Sequence, residues 1–139
     1  MRFMVIVKNT PEQDGAGTLP PPELFEEMGK FNEEMAKAGV MLAGEGLHPS
    51  AKGARMRFDG KQRTVIDGPF TEAKELVGGF WIIQVKSKAE AIEWMKRSPF
   101  QDGEIEIRQV YETEEFGDAI LPETRERELR MRAEFEAKK

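Results

Sequence analysis

Both alternating sets of the opening segment, Phe3/Val5/Val7 and Met4/Ile6, are apolar, which predicts a strand over residues 2–8 covered on both faces. The glycines and Pro20-Pro21-Pro22 between Asn9 and Pro22 read as a loop that ends by launching a helix. Leu24, Met28, Phe31, Met35 and Ala38 then recur at helical spacing, giving a helix over 22–38 that Gly39 caps. A second strand is expected from Val40 to Leu47, where regular alternation puts Val40, Leu42, Gly44, Gly46 and His48 on one face. Ala54 to Asp67 has the pattern of a hairpin, with Asp59-Gly60 at its tip, Met56 opposite Val65 and a turn from Asp59 to Gln62. A further strand opens at Gly78-Gly79 and runs to Val85. Ser87 with Glu90 forms a capping box for the next helix, whose inward face is Ala91, Ile92 and Met95 and which Pro99 stops. Glu104 to Tyr111 alternates Ile105/Ile107 against Glu106/Arg108, a strand with one apolar and one charged face.

Strand, helix, strand, hairpin, strand, helix, strand predicts an α+β fold: a ferredoxin-like antiparallel sheet with two helices on one face plus an inserted β-hairpin. Such a sheet leaves its other face bare. Apolar residues nevertheless lie on both sides of two strands, Phe80/Ile82 as well as Trp81/Ile83/Val85, so a second copy is the expected cover, giving a homodimeric α+β barrel. Residues 1–112 form the domain and 113–139 a charged, helical extension. From Pro122 to Lys139 five acidic and six basic residues stand mostly in i to i+4 pairs such as Glu128/Arg132, with few apolar positions beyond Leu129, Ala133 and Phe135. A solvated terminal helix is favoured there over a partner-binding one.

Composition narrows the chemistry. With 139 residues, 34% of them charged, and no apolar run near the roughly 18 residues a membrane helix needs, the chain reads as one soluble domain without a membrane span. The apolar run at the start is too short for a secretory signal, which places the protein in the cytoplasm. Zero cysteines exclude disulfides, thiolate metal sites and cysteine nucleophiles, and one histidine excludes a multi-histidine metal site within a chain. No P-loop, dinucleotide fingerprint, Gly-x-Ser-x-Gly elbow or metal-ligand cluster occurs, so neither metal nor cofactor is expected. The net charge of -5 argues against a nucleic-acid partner. Lys52, Arg55, Arg57, Lys61 and Arg63 against Asp59 make the hairpin locally +4, but with only Phe58 interleaved it reads as solvated or as a protein contact before nucleic acid.

Between hairpin and strand runs Asp67-Gly68-Pro69-Phe70-Thr71-Glu72-Ala73-Lys74-Glu75. This segment closely resembles the signature of the YCII-related superfamily, in its DGPF-motif branch. The likeness extends to the opening strand, to Gly44-Glu45-Gly46-Leu47, to Gly78-Gly79-Phe80 and to Ile105-Glu106-Ile107-Arg108, and covers residues 1–112. It implies a ferredoxin-like fold dimerising into an α+β barrel, in bacterial proteins of unassigned activity. Some family members look associated with alternative sigma factors, and distant relatives act on small cyclic substrates with a His/Asp pair.

Read from the residues, Asp67-Gly68-Pro69 is a turn, and Asp67 is equally a carboxylate at a strand end, where general bases sit. Glu72 and Lys74 read as solvated charges after a capping Thr71, whereas Glu75 remains open to a site role. His48 is of the side-chain type that titrates near neutrality; it ends a strand whose neighbours Gly44 and Gly46 leave room for a small cavity, or it is simply exposed before a Pro-Ser turn. If Ile105 and Ile107 pack on the helices, Glu106 and Arg108 point into the cleft with Gln84, where arginine could clamp a carboxylate or phosphate or form a structural ion pair. The candidate site is therefore Asp67 and His48 for proton transfer, with Arg108, Glu106, Gln84, Glu75, Gly44 and Gly46 for a small anionic or cyclic ligand. The competing reading is a non-catalytic interaction module acting through the hairpin or the C-terminal helix.

Overall fold

The computed structural model describes residues 1–16, 19–70 and 72–138. By internal contacts the chain divides into Met1–Gln109 and Val110–Lys139. The first unit contains β1 (Arg2–Asn9), α1 (Pro11–Ala16), α2 (Pro22–Lys37), β2 (Met41–Gly46), β3 (Ala54–Asp59), β4 (Gln62–Asp67), β5 (Leu76–Gln84), α3 (Lys88–Lys96) and β6 (Glu104–Gln109). Four strands make an antiparallel sheet in the order β2-β5-β1-β6, and β3-β4 stand apart as a two-stranded hairpin. This is the ferredoxin-like α+β arrangement, with the hairpin inserted between the second and third strands of the sheet.

One face of the sheet carries the core. Phe3 and Val5 of β1 and Trp81 and Ile83 of β5 form a buried cluster with Phe31 and Met35 of α2 and Ala91 and Met95 of α3. Each fully buried valine, isoleucine, phenylalanine or methionine here is worth roughly 1.5–3 kcal/mol relative to exposure, so the face is set by alternation on two strands and helical spacing on two helices. Ile105 and Ile107 of β6 pack against the same cluster, which turns Glu104, Glu106 and Arg108 to the opposite face. There Met4, Ile6, Phe80 and Ile82 are half-buried.

The structure departs from the sequence reading at several elements. Residues 11–16 are helix rather than loop: Thr10 Oγ1 accepts from the Gln13 N–H (3.2 Å) while Gln13 Oε1 accepts from the Thr10 N–H (2.8 Å), a capping box with Pro11 at the first helical position. In β2 a bulge between Met41 and Ala43 breaks the alternation, so Met41, not Leu42, shares a face with Gly44. Strand β5 begins at Leu76 rather than Gly78 because Leu76 is buried and pairs with Asn9. On α3, Ile92 is exposed, and Ala91 and Met95 are buried with Trp94 packed against the core beside them. Ser87 Oγ accepts from the Glu90 N–H as expected, but Glu90 reaches back to the N–H of Lys86, one residue earlier. The hairpin registers as predicted, Met56 opposite Val65 and Asp59 opposite Gln62, with Gly60 at φ 59° in the turn. Gly39 caps α2 at φ 73°.

In the second unit, short 3-10 turns over Thr113–Ala119 break at Gly117, and α4 spans Pro122–Ala137. Arg132 pairs with Glu128 one turn earlier, at 3.0 Å.

Candidate functional site

Lys8 closes the polar end of an otherwise apolar run. On the face away from the helices, Met4, Ile6 and Lys8 stand opposite Arg108, Glu106 and Glu104 of β6. Lys8 Nζ reaches Glu106 Oε1 at 3.0 Å, Glu104 Oε1 at 3.2 Å and Glu75 Oε2 at 3.2 Å, and its side chain is only 17% exposed. The second oxygen of Glu106 accepts from Arg108 Nη1 at 3.1 Å. Hydrogen bonds that Lys8 donates to Glu106 first, then to Glu75 and Glu104, push Lys8 further above the ordinary lysine range. Reciprocally, Lys8 first and Arg108 second hold Glu106 below the usual carboxylate range. Near neutrality Lys8 is a fixed cation and Glu106 a fixed anion. This ladder works through charge and position, not proton transfer. Arg108, 69% exposed, spends one nitrogen on Glu106 while a guanidinium carries five N–H donors, so it can also clamp an anion.

The structure therefore links Glu75, Glu106 and Arg108 through Lys8. Gln84 shares their face but pairs with Arg2, six residues along β1 from Lys8, roughly 20 Å away at about 3.4 Å per residue. It stands at the other end of the sheet.

Asp67, the last residue of β4, and His48, in the loop after β2, lie at the Lys8 end but not on the ladder. Asp67 pairs with Ala54 at the root of the hairpin and His48 follows β2; both are exposed. A buried node holds these loops together. Asp14 accepts from the Ser50 N–H (2.9 Å) and Oγ–H (2.6 Å), and Ser50 Oγ in turn accepts from the Phe70 N–H (3.2 Å). Gly68, adjacent to Asp67, lies so close to the Ser50 carbonyl that an added Cβ would overlap it, and its N–H donates to Gly53 O at 3.0 Å. His48 and Asp67 thus each sit within two residues of the Ser50–Gly68 contact. Gly68-Pro69 is a cis bond. Arg55 stacks on Phe70 with its guanidinium carbon 4.0 Å from the ring centre, and pairs with Glu72 at 3.1 Å. Thr71, expected to cap a turn there, lies outside the described residues.

Gly44 and Gly46 do not share one cavity. The space above Gly44 is filled by Trp81 and Met41, whereas a Cβ at Gly46 would meet nothing within 4 Å. Sequence reasoning missed Lys8, Glu104, Asp14 and Ser50. Lys8 had a signal, a cation ending the apolar set of a strand; so did α1, in Thr10-Pro11-Glu12-Gln13.

A family model of the YCII-related domain matches residues 1–114, which takes in the whole sheet, the hairpin and the Asp67–Glu75 segment. The chain belongs to the YCII-related family. No curated protein matches it. In this YCII-related protein no helix among the described residues is long and apolar enough to cross a membrane.

Proposed function

We propose that this YCII-related protein, of the DGPF-motif branch, binds a small anionic or cyclic ligand on the open sheet face and performs cofactor-independent acid/base chemistry on it. The observation that carries the reading is the Lys8–Glu106–Arg108 ladder beside a half-buried apolar strip of Met4, Ile6, Phe80 and Ile82. An apolar floor with a few convergent polar groups is what a small-molecule site needs. Arg108 is the anion clamp and Glu106 holds it in place. Asp67, at the end of β4, or His48, in the loop after β2, is the base. A second copy closes the cleft, making a homodimeric α+β barrel in the bacterial cytoplasm.

A thermal-shift screen of small metabolites against wild type and Arg108→Gln tests the reading, since a ligand at a hundredfold its Kd stabilises by about 2.7 kcal/mol. Compounds that stabilise wild type and lose that effect in Arg108→Gln are expected; hits indifferent to Arg108 overturn it. Light scattering at micromolar concentration reads the dimer. A second reading, a non-catalytic regulatory or interaction module, is favoured by the bare apolar face of the hairpin.

A further inference from the structure

A hairpin of two strands is marginal in water unless something covers it. Met56, Phe58 and Val65 stand on the same face of β3-β4 and are 54%, 66% and 59% exposed. The opposite face is anchored at its root, where Arg55 lies over Phe70. On the bare face Arg63, paired with Phe58, lies over its ring at 4.8 Å, and Lys61 stands in the turn; residues 54–67 carry four basic residues against Asp59 and Asp67, a net +2 that leaves -7 on the rest of a chain of net charge -5. Two hairpins repel one another, so the fitting surface is acidic and has an apolar patch of its own.

This chain carries such a surface. Helix α2 has five glutamates against two lysines, Lys30 beside Glu26 and Glu27 and Lys37 beside Glu33, and it keeps a net negative charge although Arg97 takes Glu34 from across the fold. On its outer side Phe25 is 54% exposed, and Gly29, one turn on, leaves the backbone open, with nothing within 4 Å of an added Cβ. We propose that the β3-β4 hairpin is an arm that lays Met56, Phe58 and Val65 on Phe25 and Gly29 of α2 in a second copy, with Arg63 and Lys61 toward Glu26 and Glu33. Each copy offers one arm and one acidic helix, so the contact is reciprocal under two-fold symmetry. It uses neither the open sheet face nor the ligand residues.

The cysteine-free chain makes the test direct. Full-length Val65→Cys and Gly29→Cys proteins, both substitutions at exposed sites, are mixed at equal micromolar concentration and oxidised with diamide. The mixed 65–29 disulfide dimer is expected several-fold in excess of either homodimer. Adding Arg63→Glu and Lys61→Glu to the first chain should abolish that excess, and Glu26→Lys with Glu33→Lys in the second should restore it. Products in the random one-to-two-to-one ratio, or an excess indifferent to charge reversal, overturn the arm and leave the hairpin's bare face to an unrelated acidic protein. Because the readout is the hairpin–helix contact itself, it is independent of whether Arg108 binds a ligand.

Discussion

Trp81 occupies the space that Gly44 leaves open: a Cβ at Gly44 would sit 2.7 Å from Trp81 Cδ1 and 2.6 Å from Met41 Cε. The methionine end can swing aside. The indole cannot, because its N–H donates to Asn32 Oδ1 at 2.9 Å and its ring meets Phe31 and Phe100 edge-on at 5.9 and 6.1 Å. Gly44→Ala should therefore cost about 1–3 kcal/mol by overpacking. Gly46→Ala, entering open space, should be neutral or stabilise by roughly 0.4–1 kcal/mol through the unfolded chain. Urea unfolding of the two variants checks the contrast, and equal costs would mean that strand pairing, not Trp81, dictates the glycine.

That contrast also marks where the sequence was readable. Alternation and helical spacing locate the strands and core helices because burial of Phe3, Val5, Phe31, Met35 and Ile83 selects one face of each element. The bulge at Leu42 was hidden, since a single extra residue leaves no compositional mark while shifting which side chain covers Gly44. On the site side, Glu106 and Arg108 were legible as the polar set of an alternating strand. Their tie to Lys8 and Glu75 depends on β1 and β6 pairing across most of the chain, which local pattern does not encode.

The Asp14 node should be structural in its energetics. Removing a buried carboxylate that accepts two bonds strands the Ser50 donors, so Asp14→Ala is expected to cost roughly 1.5–3 kcal/mol and Ser50→Ala about 1 kcal/mol. Gly68→Ala, whose methyl would overlap the Ser50 carbonyl, should be the most damaging of the three. Denaturant midpoints order the variants, and limited proteolysis should cut first near the hairpin root. A fully stable Gly68→Ala protein would show that the loops are not clamped there.

Phe80 and Ile83 belong to opposite faces of β5, and charge placed on them should have opposite consequences. Ile83 is wholly buried among the helices, so Ile83→Glu should prevent folding. Phe80 is half-buried on the open face, opposite Ile6 and Glu45. Phe80→Glu should leave a folded chain by near-ultraviolet circular dichroism yet lower the mass in light scattering if the proposed sheet-face dimer forms. A Phe80→Glu protein that keeps the wild-type mass would remove the open face from the assembly.

The Lys8–Glu106 pair fixes the sign of a pH effect at each end of the scale. Glu106 is depressed when folded, so its contribution is present above its unfolded value of about 4.5 and is lost as pH falls through the folded value. Lys8 is raised when folded, so its contribution is present below its ordinary value of 10.5 and is lost only as pH climbs through the folded one. In Lys8→Met the largest cause of the Glu106 depression is gone, and the Glu106 carboxyl should titrate closer to an ordinary glutamate, with Arg108 holding back the rest. The stability gap between wild type and Lys8→Met should hold across neutrality and narrow toward about pH 3, below the unfolded pKa of glutamate. Carbon-detected titration of Glu106 with urea midpoints at about pH 3 and about pH 7 measures both halves. An unmoved Glu106 titration in Lys8→Met would mean that Arg108, not Lys8, governs the carboxylate.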